Sequence, residues 1–221
     1  VRESCIPEQS LLGVGLAVPS LVSDDGERII YGLSHDFTGI TRADISSCIP
    51  YPTRMFHDAS VAGFAEVWIN KSLENALYLS LHDTVGSSLI IDHKIYPGDN
   101  SRSGEIGHIK IQPKGGKKCY CGKTGCFDTV CNANVLAEAA GGGVSEFFEL
   151  LETGDDKARD AFTEYLRHLS RMIHNIRMLL DCPVILGGYI GAAIEPYLDD
   201  LCSRIDSMTF FEDPAAGFLR S

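Results

Sequence analysis

Short apolar runs alternate along this chain with longer stretches in which apolar residues recur at helical spacing. Residues 11–18 are almost wholly apolar and end at Pro19, which predicts a central strand covered on both faces. Residues 21–22 and 28–30 flank a polar segment, residues 23–26, so we expect a hairpin with a solvated tip. The N-terminal region therefore begins as β structure.

Further apolar runs predict a meander and one more buried strand. Residues 76–81, 88–91 and 95–96 are separated by polar turns, which is typical of three consecutive antiparallel strands. Residues 184–186 are apolar and precede two glycines, so we expect a buried strand that ends in a glycine turn.

Helical periodicity is clearest toward the C-terminus. Residues 155–180 form the longest periodic segment and predict a core helix. Its apolar face comprises Ala158, Phe162, Leu166, Leu169, Ile173, Ile176 and Leu180. Residues 134–140 and 144–151 predict shorter helices separated by three glycines, and residues 194–205 predict another. Strands that alternate with helices favour α/β layers.

Residues 60–70 also have helical spacing, and Asp58 stands just before them. The apolar positions of this stretch are Val61, Phe64, Ala65 and Trp68. A carboxylate at a helix start accepts hydrogen bonds from free backbone amides, so Asp58 has a structural explanation as a cap. The spacing leaves that role and a functional one open.

Length and charge bound the organisation and the partners. A chain of 221 residues, 44% hydrophobic and 22% charged, is somewhat large for one domain, so we expect one bilobed unit or two small domains, with a second lobe that starts near residue 73. The net charge of −11 disfavours a nucleic-acid surface, because such surfaces neutralise phosphates with Lys and Arg. Any DNA contact must come from a domain outside this chain.

The cysteines and the N-terminus indicate a reducing compartment. No apolar run is long enough to cross a bilayer, and the first residues do not read as a signal peptide. Eight cysteines in such a chain fit a cytoplasmic protein without disulfides. We expect free thiols at Cys5, Cys48, Cys131, Cys182 and Cys202.

The remaining cysteines form a candidate metal site with one histidine. His108, Cys119, Cys121 and Cys126 are the ligand set of a tetrahedral structural zinc site, and interleaved glycines let the backbone turn sharply between them. The alternative is a set of ordinary buried cysteines, or a disulfide with one spare thiol. Three cysteines within eight residues favour zinc over either alternative.

These same residues carry a family resemblance. Gly-Glu-Ile-Gly-His at residues 104–108, followed by Cys-x-Cys-Gly-x-x-Gly-Cys at residues 119–126, resembles the signature of the ROK family of bacterial sugar kinases and sugar-responsive transcriptional repressors. Residues 12–19, 57–60 and 184–188 are similar to further motifs of that family, in the same order. The resemblance thus extends over nearly the whole chain.

The resemblance implies a fold and an assembly. Members have the two-lobed actin-like ATPase or sugar-kinase architecture, which is ribonuclease H-like, with a sugar in the cleft between the lobes. Against that pattern the chain lacks the opening phosphate-loop strand and the closing helix, so we expect the architecture to be truncated at both ends. The resemblance therefore implies a partial first lobe over residues 1–72 and a second lobe with the zinc knuckle over residues 73–221. The resemblance also implies a homo-oligomer.

The resemblance further implies roles for individual residues. Asp58 matches the catalytic base of the kinases, while Glu105, His108 and Asp128 match ligands of the sugar hydroxyls. The last of these is usually glutamate, so Asp128 is one methylene shorter. His57 stands where the family usually has asparagine and is a further candidate sugar ligand. Each change alters hydrogen-bond reach and hence the sugar preference.

The phosphate-binding side matches the family less well. Residues 82–88 replace a glycine-rich loop, losing three glycines and gaining Asp83, which would repel a phosphate. An ordinary polar β-turn is the preferred interpretation there. We therefore predict the sugar-sensing domain of a ROK repressor, with structural Zn²⁺. The alternative is an ATP-dependent gluco- or fructokinase that uses Mg-ATP, with Asp58 as base.

Overall fold

A computed structural model describes residues 7–221 and consists of three sheets with helices packed around them. Its strands are β1 (Val14–Val18), β2 (Leu21–Val22), β3 (Ile29–Tyr31), β4 (Thr53–His57), β5 (Ala76–Leu81), β6 (Val85–Ile91), β7 (Lys94–Tyr96), β8 (Val184–Gly187) and β9 (Leu219–Arg220). Its α-helices are α1 (Arg42–Ser46), α2 (Asp58–Ile69), α3 (Asp128–Cys131), α4 (Ala133–Ala140), α5 (Val144–Thr153), α6 (Asp156–Leu180), α7 (Gly188–Ile194) and α8 (Leu198–Asp206).

The largest sheet has the order β7-β6-β5-β8-β9 and organises the main core. β5 and β6 pair antiparallel, as do β6 and β7, whereas β5 and β8 are parallel. Every residue of β5 is buried. Helix α6 packs its apolar face into this core, and all the residues predicted for that face are buried except Leu180, which is half-buried. The predicted meander and core helix are confirmed.

The N-terminal sheets are smaller. β2 and β3 form the predicted hairpin, and β1 pairs in parallel with β4. β1 was predicted to be covered on both faces, and this is wrong, because alternate residues of the strand are exposed. Within the described part of the chain β1 has a single partner strand, and the sheet that it forms with β4 is exposed on one face. The apolar composition of residues 11–18 did not reveal that difference.

Helix α2 lies between the two groups of strands. It packs against β1 and β4 on one side and against β5, β6 and β7 on the other. Its buried residues are the small Ala59 and Gly63 together with Val67. The four apolar positions recognised in the sequence lie on the exposed face instead, with Trp68 67% exposed. Close packing through small residues therefore determines which face of α2 is buried. The predicted boundary between the two lobes at residue 72 stays a prediction.

The turn predicted after β8 is the start of a helix. Gly188 has a φ of +79° and begins α7, and a Cβ there would lie 2.4 Å from the carbonyl oxygen of Leu81. Only glycine fits this close approach without strain.

Among residues 7–221, every helix is too short or too polar to cross a bilayer.

Candidate functional site

A cavity of about 210 Å³ lies where the N-terminal strands face the large sheet, and it collects most of the predicted sugar ligands. His57 and Asp58 line one side, and Glu105 and His108 line the other. The remaining wall includes Ser20, Tyr31, His82 and Tyr120. Residues that lie far apart in the sequence thus converge on one small polar cavity.

The first side is built at the carboxyl ends of two parallel strands. Val18 pairs with His57, so the residues that follow β1 and β4 reach the same edge of the sheet. Ligands commonly bind at this edge in α/β folds. His57 Nε2 lies 3.3 Å from Asp58 Oδ1, and His57 Nδ1 lies 3.4 Å from Ser60 Oγ. Burial lowers the pKa of His57, although the charge of Asp58 opposes this, so the imidazole is neutral at pH 7.

Asp58 is the first residue of α2, and His57 occupies the cap position. The Asp58 carboxylate accepts a hydrogen bond from the backbone N–H of Ala59 at 2.7 Å, and half of its side chain stays exposed. A contact with the helix start and a free carboxylate oxygen therefore coexist. Asp58 is thus not the N-cap residue that the sequence suggested, although its carboxylate contacts the first turn of the helix.

The second side depends on a tight connection after β7. Gly104 has a φ of +82°, and its carbonyl oxygen accepts a hydrogen bond from the Ser87 hydroxyl. Glu105 follows immediately and leads into the 3₁₀ helix Ile106–His108. Burial raises the pKa of Glu105, and the nearby negative charge of Asp58 raises it further. The charge of Asp58 on one wall of the cavity therefore reaches the carboxyl group of Glu105 on the other.

The predicted metal ligands come together at the edge of this cavity. One ligand atom each from His108, Cys119, Cys121 and Cys126 lies within 4.8 Å of all the others. Cys121 Sγ is 3.7 Å from Cys126 Sγ, and Cys119 Sγ is 3.7 Å from His108 Nδ1. A tetrahedral zinc with Zn–S bonds of about 2.3 Å places neighbouring sulfurs about 3.8 Å apart. The cluster thus has the dimensions of such a site.

The electrostatics of the cluster also fit a cation. Burial raises the pKa of Cys119 to about 12, so this thiol stays protonated without a positive charge beside it. A bound metal would stabilise the thiolates and hold the loop that carries them. Cys119 itself makes a tight turn with Lys123 and Gly122, accepting from the N–H of Gly122 at 2.9 Å. Among the other predicted free thiols, Cys5 lies outside the described residues, and Cys48, Cys131, Cys182 and Cys202 form no disulfide within residues 7–221.

His108 links the metal cluster to the cavity. Its Nδ1 faces the sulfur of Cys119, while its Nε2 lies 3.8 Å from Glu105 Oε2. The ring of Tyr120 packs edge-on against the imidazole, with the ring centres 5.1 Å apart. Coordination through Nδ1 would leave the proton on Nε2, which could then donate into the cavity.

Asp128 is the one predicted sugar ligand that does not line the cavity. It is 2% exposed, and its carboxylate accepts from the backbone N–H of Val85 at 2.8 Å and from the side chain of Asn132 at 3.4 Å. Burial raises its pKa. Because Val85 itself lines the cavity, Asp128 supports the wall from behind. Its direct contact with a sugar stays a prediction.

The hairpin tip at residues 82–84 separates this cavity from a second one. His82 and Thr84 face the first cavity, whereas Asp83 faces a wider space of about 850 Å³ and accepts a hydrogen bond from the Tyr189 hydroxyl at 2.5 Å. The wider space is also lined by Glu146 and Glu152. Within the described residues, no lysine or arginine lines either cavity.

A pair of contacts joins the loop before Glu105 to the N-terminal hairpin. Arg102 donates to the Tyr31 hydroxyl at 3.1 Å, and its guanidinium lies 5.0 Å from the centre of the Tyr31 ring. The hydroxyl of Ser101 donates to Asp24. We call these contacts the loop clasp. The sequence analysis missed Tyr31 and Arg102, since no motif or periodicity distinguishes an exposed tyrosine at a strand end.

Comparison with known proteins gives a consistent family assignment. A model described as ROK family matches residues 6–216. The glucokinase of Halalkalibacterium halodurans is 32% identical over 145 residues, a match that covers 64% of this chain and 44% of that protein. The chain thus spans less than half the length of this curated relative.

Solved structures share the fold at lower identity. A ROK family glucokinase from Streptomyces griseus, in complex with glucose and AMPPNP, superimposes with a TM-score of 0.73 and 21% identity, over 89% of this chain and 70% of that one. A ROK family transcriptional regulator, a homolog of the E. coli MLC protein, also gives 0.73 and 21%, over 94% and 57%. The predicted sugar-kinase architecture is confirmed, and the match over residues 6–216 shows that the chain belongs to the ROK family.

Proposed function

We propose that this chain is the sugar-sensing effector domain of a ROK transcriptional repressor, which binds a neutral sugar without phosphorylating it. The observation that carries this proposal is the hairpin tip between the two cavities. Asp83 places a carboxylate at the tip and is held by Tyr189, and neither cavity has a lysine or arginine on its walls within residues 7–221. Phosphoryl transfer requires preorganised donors and cations around the phosphates.

The cavity suits a polyhydroxylated neutral ligand. Asp58 and Glu105 offer carboxylate oxygens that accept from sugar hydroxyls in charge-assisted hydrogen bonds. His108 supplies a donor through Nε2, and His57 supplies a neutral imidazole. Two acids in so small a space disfavour an anionic ligand such as a sugar phosphate. The matching fold of the Streptomyces griseus glucokinase holds glucose, which supports a hexose here.

Zinc would have a structural part in this account. His108, Cys119, Cys121 and Cys126 would hold the ion, which leaves no open position for a substrate. The ion would fix the imidazole of His108 and the backbone around Tyr120, both of which line the cavity. Sugar affinity would then depend on metal content through geometry, without metal chemistry on the sugar.

Any contact with DNA would be made by a domain outside residues 1–221. The net charge of −11 opposes a phosphate-binding surface on this part of the protein. The similar fold of a ROK transcriptional regulator supports such an arrangement. In this proposal the sugar shifts the population of two conformations of the effector domain, which it can do only by binding one of them more tightly.

A sugar kinase is the second candidate, and two observations favour it. The similarity to a glucokinase is one. The other is Asp58, whose half-exposed carboxylate faces the cavity where a general base would stand. In that case Asp58 would take the proton of the attacking sugar hydroxyl, and Mg-ATP would supply the phosphoryl group.

Calorimetry with a sugar panel tests the proposal. The protein is titrated with glucose, mannose, fructose, N-acetylglucosamine and N-acetylmannosamine, and with glucose 6-phosphate as the anionic control. We expect saturable binding of at least one neutral sugar and much weaker binding of the phosphate ester. Selective binding of glucose 6-phosphate, or no binding of any neutral sugar, would contradict the proposed ligand class.

A further inference from the structure

Ser20 has a buried hydroxyl beside the sugar cavity that the sequence motifs did not identify. It follows Pro19 at the carboxyl end of β1, is 5% exposed, and lines the same cavity as Asp58 and Glu105. Its backbone N–H donates to the carbonyl oxygen of Val18 at 2.8 Å. Its Oγ has no hydrogen-bond partner among residues 7–221.

An unpaired buried hydroxyl is unfavourable, and folded proteins rarely keep one unless a ligand or water completes it. The buried unpaired side-chain atoms in the described part of the chain belong to Ser20, Ser88, His168 and His174. Ser20 is the one of these four that lines the cavity between Asp58 and Glu105. Position and missing partner therefore coincide at this residue.

We propose that Ser20 is a further sugar-binding and specificity-determining residue, whose Oγ hydrogen-bonds one hydroxyl group of the sugar. This inference rests on the proposed sugar-binding function. The carboxylates of Asp58 and Glu105 can only accept hydrogen bonds, so a sugar hydroxyl that donates to one of them still needs a donor for its own oxygen. A serine hydroxyl can donate and accept, and it complements the two acids in this respect.

Ser20→Ala should change the stability of the free protein and its affinity for the sugar in opposite directions. The ligand-free protein should be as stable as the wild type or slightly more so, because the variant removes a hydroxyl that has no partner. Sugar affinity should fall about threefold to tenfold, the loss expected for one neutral hydrogen bond. If Ser20 had a merely structural role, Ser20→Ala would lower the stability of the protein and leave its sugar affinity unchanged.

Monodeoxy sugars provide the sharper test. Calorimetry is run on wild type, Ser20→Ala and Ser88→Ala with the neutral sugar of the panel that binds best and with its monodeoxy analogues. Ser88 is the matched control, because its Oγ is equally buried and unpaired but its residue lines a different groove. We expect Ser20→Ala to weaken the parent sugar and to have no effect on the one analogue that lacks the contacted hydroxyl. Ser88→Ala should bind every sugar as the wild type does.

The possible results separate this inference from the function on which it rests. If wild type and Ser20→Ala bind every sugar equally, Ser20 is not a ligand, and the proposed function stands. An equal loss with the parent sugar and all its analogues would also overturn the inference, because it would indicate a general disturbance. If the wild type binds no sugar, both proposals fail. Ser20→Gly, which also lacks the hydroxyl, repeats the test should the alanine variant misfold.

Discussion

His108 places its Nδ1 atom 3.7 Å from the sulfur of Cys119 and its Nε2 atom 3.8 Å from Oε2 of Glu105, which lines the same cavity. One imidazole thus belongs to the candidate metal cluster and to the wall of the proposed sugar site at once. If zinc binds Nδ1, the tautomer and the ring position of His108 are both set by the metal. Metal content and sugar affinity should therefore change together.

Cys121→Ser should remove zinc and weaken sugar binding. The variant loses one of four ligands, so the zinc content found by metal analysis should fall from about one equivalent per chain to well below that value. Thermal stability should fall as well, because metal binding contributes to folding. Cys48→Ser, which alters an exposed thiol outside the cluster, is the control and should match the wild type. A Cys121→Ser protein with full zinc content would rule out the assigned ligand set.

Glu105→Gln should weaken sugar binding and spare the metal. The amide cannot accept charge-assisted hydrogen bonds as a carboxylate does, and losing such a bond, worth ~1.5–3 kcal/mol, raises the Kd about tenfold or more. Calorimetry and metal analysis on the same sample measure both quantities. Glu149→Gln, which changes an exposed helix residue, serves as the control. Unchanged sugar affinity in Glu105→Gln would remove Glu105 from the site.

Opening the loop clasp should speed sugar release. Arg102 and Tyr31 hold the loop that leads into Glu105 against the N-terminal hairpin, and Tyr31 lines the cavity. The contact is exposed, so we expect a modest effect of about twofold to fivefold in Kd for Arg102→Ala, mostly through the dissociation rate. Tyr31→Phe keeps the aromatic ring and should raise the Kd less than Arg102→Ala does. A double-mutant cycle measures the coupling, and additive effects would mean that the two residues do not act together.

His57 should make the stability of the protein fall with decreasing pH. Burial lowers its folded pKa below the usual 6.5, so the unfolded chain takes up a proton that the folded chain resists. This part of the stability is fully present above pH 6.5 and is lost as the pH falls toward the folded pKa. Urea unfolding at several pH values between 5 and 7.5 gives the free energy of unfolding as a function of pH. This free energy should depend less steeply on pH in His57→Gln than in the wild type. Parallel slopes would show that the proton uptake lies elsewhere.

Much of the architecture could be predicted because its signals are local. The apolar face of α6 and the run of β5 bury the residues that their periodicity indicates. The cluster of His108 with three cysteines was equally predictable, since the cysteines lie within eight residues and their spacing limits where the sulfurs can be. These features depend on neighbouring residues, which a single sequence shows directly.

The features that the sequence did not reveal depend on partners far along the chain. β4 mixes polar, charged and apolar residues without a clear strand pattern, and it pairs in parallel with β1. α2 buries Gly63 rather than Phe64, because the helix approaches the side chain of Ser88 closely. Ser20 and Tyr31 belong to no recognisable pattern, and only the fold brings them to the cavity. Asp128 matched a family position, yet its hydrogen bond from Val85 could not be foreseen.

The central claim is that the cavity binds a sugar without phosphorylating it, and a coupled ADP-release assay tests this most directly. The full-length natural protein is incubated with Mg-ATP and a saturating concentration of the neutral sugar that binds best in calorimetry. Because Asp83 occupies the hairpin tip and no lysine or arginine lines either cavity within residues 7–221, we predict no ADP release above the sugar-free background. Robust sugar-dependent turnover that Asp58→Asn abolishes would contradict the account and establish a kinase.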